Sequence, residues 1–242
     1  MGCLLFSFGA LADIGAFDLR PELDIDVPEL PRQRVVHLMP EKVFIPKGFD
    51  SNDSSEVIIS GWYPNPCYEP LEAEVIKENG QIFITPRAKL IQRSDRVCIA
   101  MAVPYVKSIK LGMMKPGLTK ISMLDIWTGH LEVEPEGKDS IDDHLYGKVT
   151  HVRSGDKALF VEIEQPSSCI TFDSFKFISN NKDTCAVLPI MKQVQRVCPK
   201  DPRVFEYRFD IPAECQIAEK VLFHIRSLGG ESVNHIHKDR NF

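Results

Sequence analysis

Proline spacing is the strongest constraint on the fold of this chain, which carries 17 prolines in 242 residues. Between residues 33 and 131 they fall at 40, 46, 64, 66, 70, 86, 104 and 116. Proline fixes φ and has no amide hydrogen, so no long helix runs through such a series. Between the prolines lie short runs rich in Val, Ile, Phe and Tyr, the pattern of half-buried strands. The first set predicts strands over Lys42–Ile45, Glu56–Trp62, Glu72–Lys77, Gln81–Thr85, Arg96–Val103, Tyr105–Leu111 and Leu118–Leu124. The second set predicts Leu145–Val152, Ala158–Glu164, Ile170–Ser179, Thr184–Pro189, Gln193–Val197, Val204–Phe209, Lys220–Ser227 and Ser232–His237. Asn79-Gly80 marks a two-residue hairpin turn, since both positions need positive φ.

Between the two sets, residues 132–144 are polar and acidic, with Pro135 and Gly137. Strands at this spacing predict an all-β protein of two consecutive antiparallel β-sandwich domains, residues 33–131 and 145–242, joined by that linker. The sequence shows no obvious internal repeat, which leaves open that the halves are two copies of one sandwich diverged past recognition. Residues 13–32 are rich in Asp, Glu and Pro and read as an extended N-terminal arm.

Residues 1–12 read as the remnant of an export signal. Leu4–Ala12 is apolar or small, and Ala10-Leu11-Ala12 supplies the A-x-A pattern before Asp13, although no Lys or Arg precedes Arg20. The cysteines agree with an oxidising compartment. Cys3 apart, there are six, Cys67, Cys98, Cys169, Cys185, Cys198 and Cys215, with no C-x-x-C pair. Cys67 and Cys98 stand alone in the first half and are expected to bond to each other. The remaining four leave three connectivities open. The expected location is the periplasm or the cell exterior.

The stretch "KPGLTKISM", residues 115–123, places a turn before an alternating strand. It resembles the penultimate strands of immunoglobulin-like and fibronectin-type sandwiches. With its exported, two-part organisation the chain resembles bacterial secreted proteins built of tandem immunoglobulin-like β-sandwiches.

Three sets of residues are candidates for function. If Gly229-Gly230 forms a two-residue turn, His224 pairs with His235 and His237 follows on the same face, an arrangement suited to Zn²⁺ or Cu²⁺. Asp50, Asn52, Ser54 and Glu56 fall at alternate positions, as in a calcium loop, but Ser55 and Gly61 stand where an EF-hand needs Gly and Glu. Trp62, Tyr63 and Trp127 sit at strand ends, where large aromatic residues serve as partner-binding anchors. Beyond these ions no cofactor is indicated.

The net charge of −5 and the lack of any Lys/Arg-rich run argue against nucleic acid as a partner. No apolar run after the N-terminus is long enough for a transmembrane helix. G-x-S-x-G, H-E-x-x-H, the P-loop and G-x-G-x-x-G are all absent from the sequence. The expected role is therefore a non-enzymatic binding or structural one, with a protein or glycan partner. The alternatives are a hydrolase assembled from loops and a metal-binding protein using the histidine face.

Overall fold

A computed structural model describes residues 32–92, 97–137 and 144–238. The expected signal remnant and nearly all of the expected arm lie outside these residues. Pro31–Phe242 cluster as a single unit.

The first half holds β1 (Arg32–His37), β2 (Lys42–Phe44), β3 (Phe49–Asp50), β4 (Ser55–Tyr63), β5 (Tyr68–Glu78), β6 (Gln81–Gln92), β7 (Val103–Gly112), β8 (Gly117–Met123) and β9 (Trp127–Glu134). The second holds β10 (Leu145–Tyr146), β11 (Lys148–Ser154), β12 (Ala158–Gln165), β13 (Ile170–Ser179), β14 (Thr184–Gln193), β15 (Arg203–Asp210), β16 (Lys220–Ser227) and β17 (Glu231–Lys238). The all-β expectation holds for the described residues. Of the expected strands at 96–103 and 193–197, residues 97–102 and 194–197 are instead loop, residue 96 lies outside the described residues, and β1, β3 and β9 were not expected.

Each half is two sheets around its own core. In the first, β1, β5, β6, β8, β9 and β3 form one sheet and β2-β4-β7 the other. In the second, β10, β13, β14, β16 and β17 face β11-β12-β15. One core centres on Val57, Ile59, Ile82, Ile121 and Leu131. The other centres on Leu159, Val161, Ile163, Val187 and Phe223.

The sheets are not purely antiparallel: β6 runs parallel to β8, and β14 parallel to β16. This departs from the antiparallel expectation, and it follows from the connectivity. The chain leaves β6 for the opposite sheet, forms β7 there, and returns to the first sheet as β8.

The same path is walked twice. The hairpin β5–β6 recurs as β13–β14, each with a register irregularity early in its first strand. Next, β7 pairs with β4 as β15 pairs with β12. The hairpin β8–β9 recurs as β16–β17. Even the anchoring matches. Ile91 N–H donates to Cys67 O (3.0 Å), and Val194 N–H to Cys169 O (2.8 Å). Disulfides Cys67–Cys98 and Cys169–Cys198 close equivalent loops, and Cys185–Cys215 is an addition of the second half. Loops of about 30 residues each stabilise the fold by roughly 3.5 kcal/mol in the chain-entropy model.

The two copies pack unlike faces together. β4 reads Ser-Glu-Val-Ile-Ile-Ser-Gly and is buried on both sides. Val57 and Ile59 enter the first core, while Ile58, beside Phe44, packs against Leu222 and Ile236 of the second copy. The equivalent outer face of the second copy has lost this character. Phe160 takes the place of Ile58, and Arg153 lies 3.7 Å from its ring centroid while pairing with Glu206. The apolar docking patch of the first copy thus has a charged counterpart in the second.

Candidate functional site

Trp127 opens β9, paired with Met123 after the turn Leu124–Ile126. That turn needs positive φ at Leu124 and Asp125. Residues i and i+2 of a strand share a face, so Trp127 projects to the side of Gly129. The glycine is what makes room for the indole. A Cβ at Gly129 would lie 2.3 Å from Trp127 Cη2 and 2.8 Å from Ile45 Cδ1.

The half-buried indole packs on the first core and lines a groove of about 450 Å³ where the two copies meet. Val43, Ile45 and Leu118 add apolar surface, and Lys47, Glu132 and Asp183 add charge. A second hollow of about 190 Å³ shares Trp127, Val43 and Asp183. The polar edge is held in place. Lys47 pairs with Glu132 at 3.0 Å, Lys42 with Asp183 at 3.5 Å, and Asn180 Nδ2 donates to Ile45 O and to Asp183 Oδ1. Pockets of roughly 300–1,000 Å³ at such junctions, apolar with a few fixed polar groups, are where ligands bind.

The other aromatic candidates part company. Trp62 is 53% exposed, and its Nε1–H donates to Glu41 Oε2 at 3.0 Å. Tyr63 is buried against Tyr68 and Tyr105 and is a core residue. Burial, then the neighbouring Tyr63, push the Tyr105 phenol up to about 12.

The histidine trio is not assembled. The β16–β17 loop has three residues, Leu228–Gly230, so Ser227 pairs with Glu231 and Phe223 with His235. The one-residue shift from the expected register sends His224 to the opposite face from His235 and His237. Those two flank Ser154 instead, with Oγ 2.6 Å from His235 Nε2 and 3.0 Å from His237 Nδ1. Burial first, then His237 and His151, hold the His235 imidazole below its ordinary range.

Of the expected calcium ligands, Asp50 accepts a backbone hydrogen bond through Oδ1 and Glu56 accepts from serine hydroxyls. Asn52 N–H donates to Asp50 Oδ1 at 3.0 Å, and Asp50 N–H to Asp53 Oδ2 at 3.0 Å. Arg226 Nη1 donates to Asp53 Oδ2 at 2.7 Å, so a guanidinium supplies the positive charge beside this loop. Glu56 turns into the seam, where the hydroxyls of Ser108 and Ser232 donate to it. Ser54 lines a separate cleft. Among the described residues, no group of three or more His, Cys, Asp or Glu is placed to hold a metal ion.

The seam itself carries a polar set that the sequence reading missed: Asp53, Arg226, Ser232 and Asn234. Asn234 Nδ2 donates to Ser232 Oγ (3.3 Å), which orients the amide so that Oδ1 accepts from His224 Nδ1 (3.0 Å). Burial, then Arg226, pull the His224 imidazole down to about 4, so it is neutral at pH 7. Its approach of 3.3 Å to Glu56 Oε1 is therefore not an ion pair. Burial also raises the Glu56 carboxyl above its ordinary range. No spacing in the sequence signals this set, because its members come from β16, β17 and the loop before β4. Gly129 was legible only as a small residue two positions after a tryptophan.

Residues 57–131, which run from β4 into β9, match the family model of the ORF11 beta-sandwich domain. No curated protein and no solved structure matches the chain. The match covers less than half of the sequence and supports a β-sandwich assignment for the first copy; the second copy repeats its topology outside the matched region.

Proposed function

We propose that this chain is an exported, non-enzymatic binding protein of the periplasm or cell exterior, and that the Trp127 groove holds its partner. The carrying observation is the indole seated over Gly129 in a groove of about 450 Å³ between the two sandwiches. A large aromatic beside fixed ion pairs suits a ligand with one apolar face and polar edges. A sugar ring of a glycan and an extended protein segment both have that form.

The compartment rests on the three disulfides, which persist where thiols are not kept reduced. Among the described residues no helix is long and apolar enough to cross a membrane. The immunoglobulin-like kinship and the export signal belong to this same reading.

The chain has two tryptophans, so a Trp62→Phe background leaves Trp127 as sole reporter. Glycan and peptide arrays are screened, and hits are titrated by fluorescence. The expected result is a saturable change in Trp127 emission that Trp127→Ala abolishes without unfolding. Hits that bind the Trp127→Ala variant as well as wild type would refute the groove.

A further inference from the structure

We infer that a second cleft, on the Gly229–Gly230 side of the seam, binds a small neutral group that donates a hydrogen bond to His224. The cleft has a volume of about 210 Å³. That is below the roughly 300–1,000 Å³ of drug-sized sites, so it takes one small ring or side-chain-sized group.

The polarity of the ligand follows from what the walls already bind. Arg226 is committed to Asp53 through Nη1 and to Gly48 O through Nη2, and both side chains of the ion pair are buried. Glu56 accepts from two serine hydroxyls. The imidazole of His224 is 1% exposed, and its Nδ1–H is spent on Asn234. The ring being neutral, Nε2 carries a lone pair, and that buried atom has no hydrogen-bond partner among the described residues. Leaving such an acceptor unmatched is unfavourable, and a donor entering the cleft removes that cost.

Charge narrows the class further. Arg226 beside His224 opposes a cation, and Asp53 and Glu56 oppose an anion, so the favoured donor is an uncharged hydroxyl or amide. The mouth is open to it. Gly229 and Gly230 both need positive φ (79° and 72°), and nothing lies within 4 Å of where their Cβ atoms would be. This cleft is separate from the Trp127 groove and does not depend on that reading.

The test is a titration of the full-length, ¹⁵N-labelled protein at pH 7, following the His224 Nε2 resonance. Acetamide and methyl β-glucopyranoside serve as neutral donors, with methylammonium and acetate as charged counterparts. The expected result is a saturable shift with a neutral donor, at least tenfold tighter than with either ion. No saturable shift with either neutral probe overturns the inference, and so does equal binding of an ion. An Nε2 resonance that is already hydrogen-bonded and stays unchanged, the signature of a bound water only, overturns it too. His224→Leu, checked for folding by its melting curve, should abolish the shift of any other seam resonance that responds to the probe.

Discussion

Replacing Gly129 with alanine tests the architecture of the groove, because two effects of opposite sign compete there. The backbone at Gly129 is not in the positive-φ region. At such a site alanine normally stabilises by about 0.4–1 kcal/mol, by restricting the unfolded chain. Against this, the new methyl would stand 2.3 and 2.9 Å from Trp127 ring carbons and 2.8 Å from Ile45 Cδ1. Carbon atoms prefer separations of roughly 3.5–4.0 Å. Trp127 and Ile45 must both give way, and overpacking of this kind costs about 1–3 kcal/mol. The net expectation is a loss of up to about 2.6 kcal/mol. For a chain of this size that lowers Tm by up to roughly 10 °C. In a Trp62→Phe background the Trp127 emission should shift to the red, and acrylamide should quench it more. Gly137→Ala is the control, since among the described residues nothing lies within 4 Å of its Cβ position. A Gly129→Ala protein as stable as its parent, with unchanged emission, would mean that the indole does not lie over this glycine.

Three more outcomes follow from the same geometry. Asp53→Ala leaves the buried guanidinium of Arg226 without its 2.7 Å partner and should cost about 3–5 kcal/mol in urea unfolding, with Asp53→Asn costing less. Double replacement of Cys67 and Cys98 by serine should lower stability by about 3.5 kcal/mol, and that of Cys169 and Cys198 by a similar amount, since the loops span 31 and 29 residues. Stability should also depend on pH through His224, held at about 4 against an ordinary 6.5. Between those values the unfolded chain binds the proton and the folded one does not. Its contribution is thus intact at neutral pH and is lost as pH falls through the window, by up to about 1.4 kcal/mol per pH unit. Glu56, raised by burial, acts in the opposite sense, its contribution being lost as pH rises through its folded pKa. His224→Gln should flatten the curve of urea midpoint against pH between 4 and 6.5, and an unchanged slope would contradict the burial of a neutral ring.

Alternation and proline spacing decided much by themselves. They exclude long helices, place most strands, and set the Asn79-Gly80 turn, where both residues have positive φ and Glu78 pairs with Gln81. The pairing of Cys67 with Cys98 was also legible, because, Cys3 apart, no other cysteine lies in that half. These are local matters, fixed by backbone sterics and by counting. What failed in the sequence reading was register and long-range placement. The β16–β17 loop holds three residues where two were expected, and that single residue moves His224 across the sheet, out of a metal site and into the seam. Arg96–Val103 looks like a strand by composition, yet the described part of it, with Val97, Ile99 and Met101 exposed, is a loop before β7.

The parallel β6–β8 and β14–β16 pairs, the burial of β4 on both faces and the meeting of Asp53 with Arg226 belong to the tertiary structure alone. Each depends on which surface of one copy meets which surface of the other. Residues 173 positions apart in sequence share a hydrogen bond there. No local period records such a contact. It exists because Phe44 and Ile58 keep one outer face apolar and bury it against Leu222 and Ile236, while the counterpart face carries the Arg153–Glu206 ion pair.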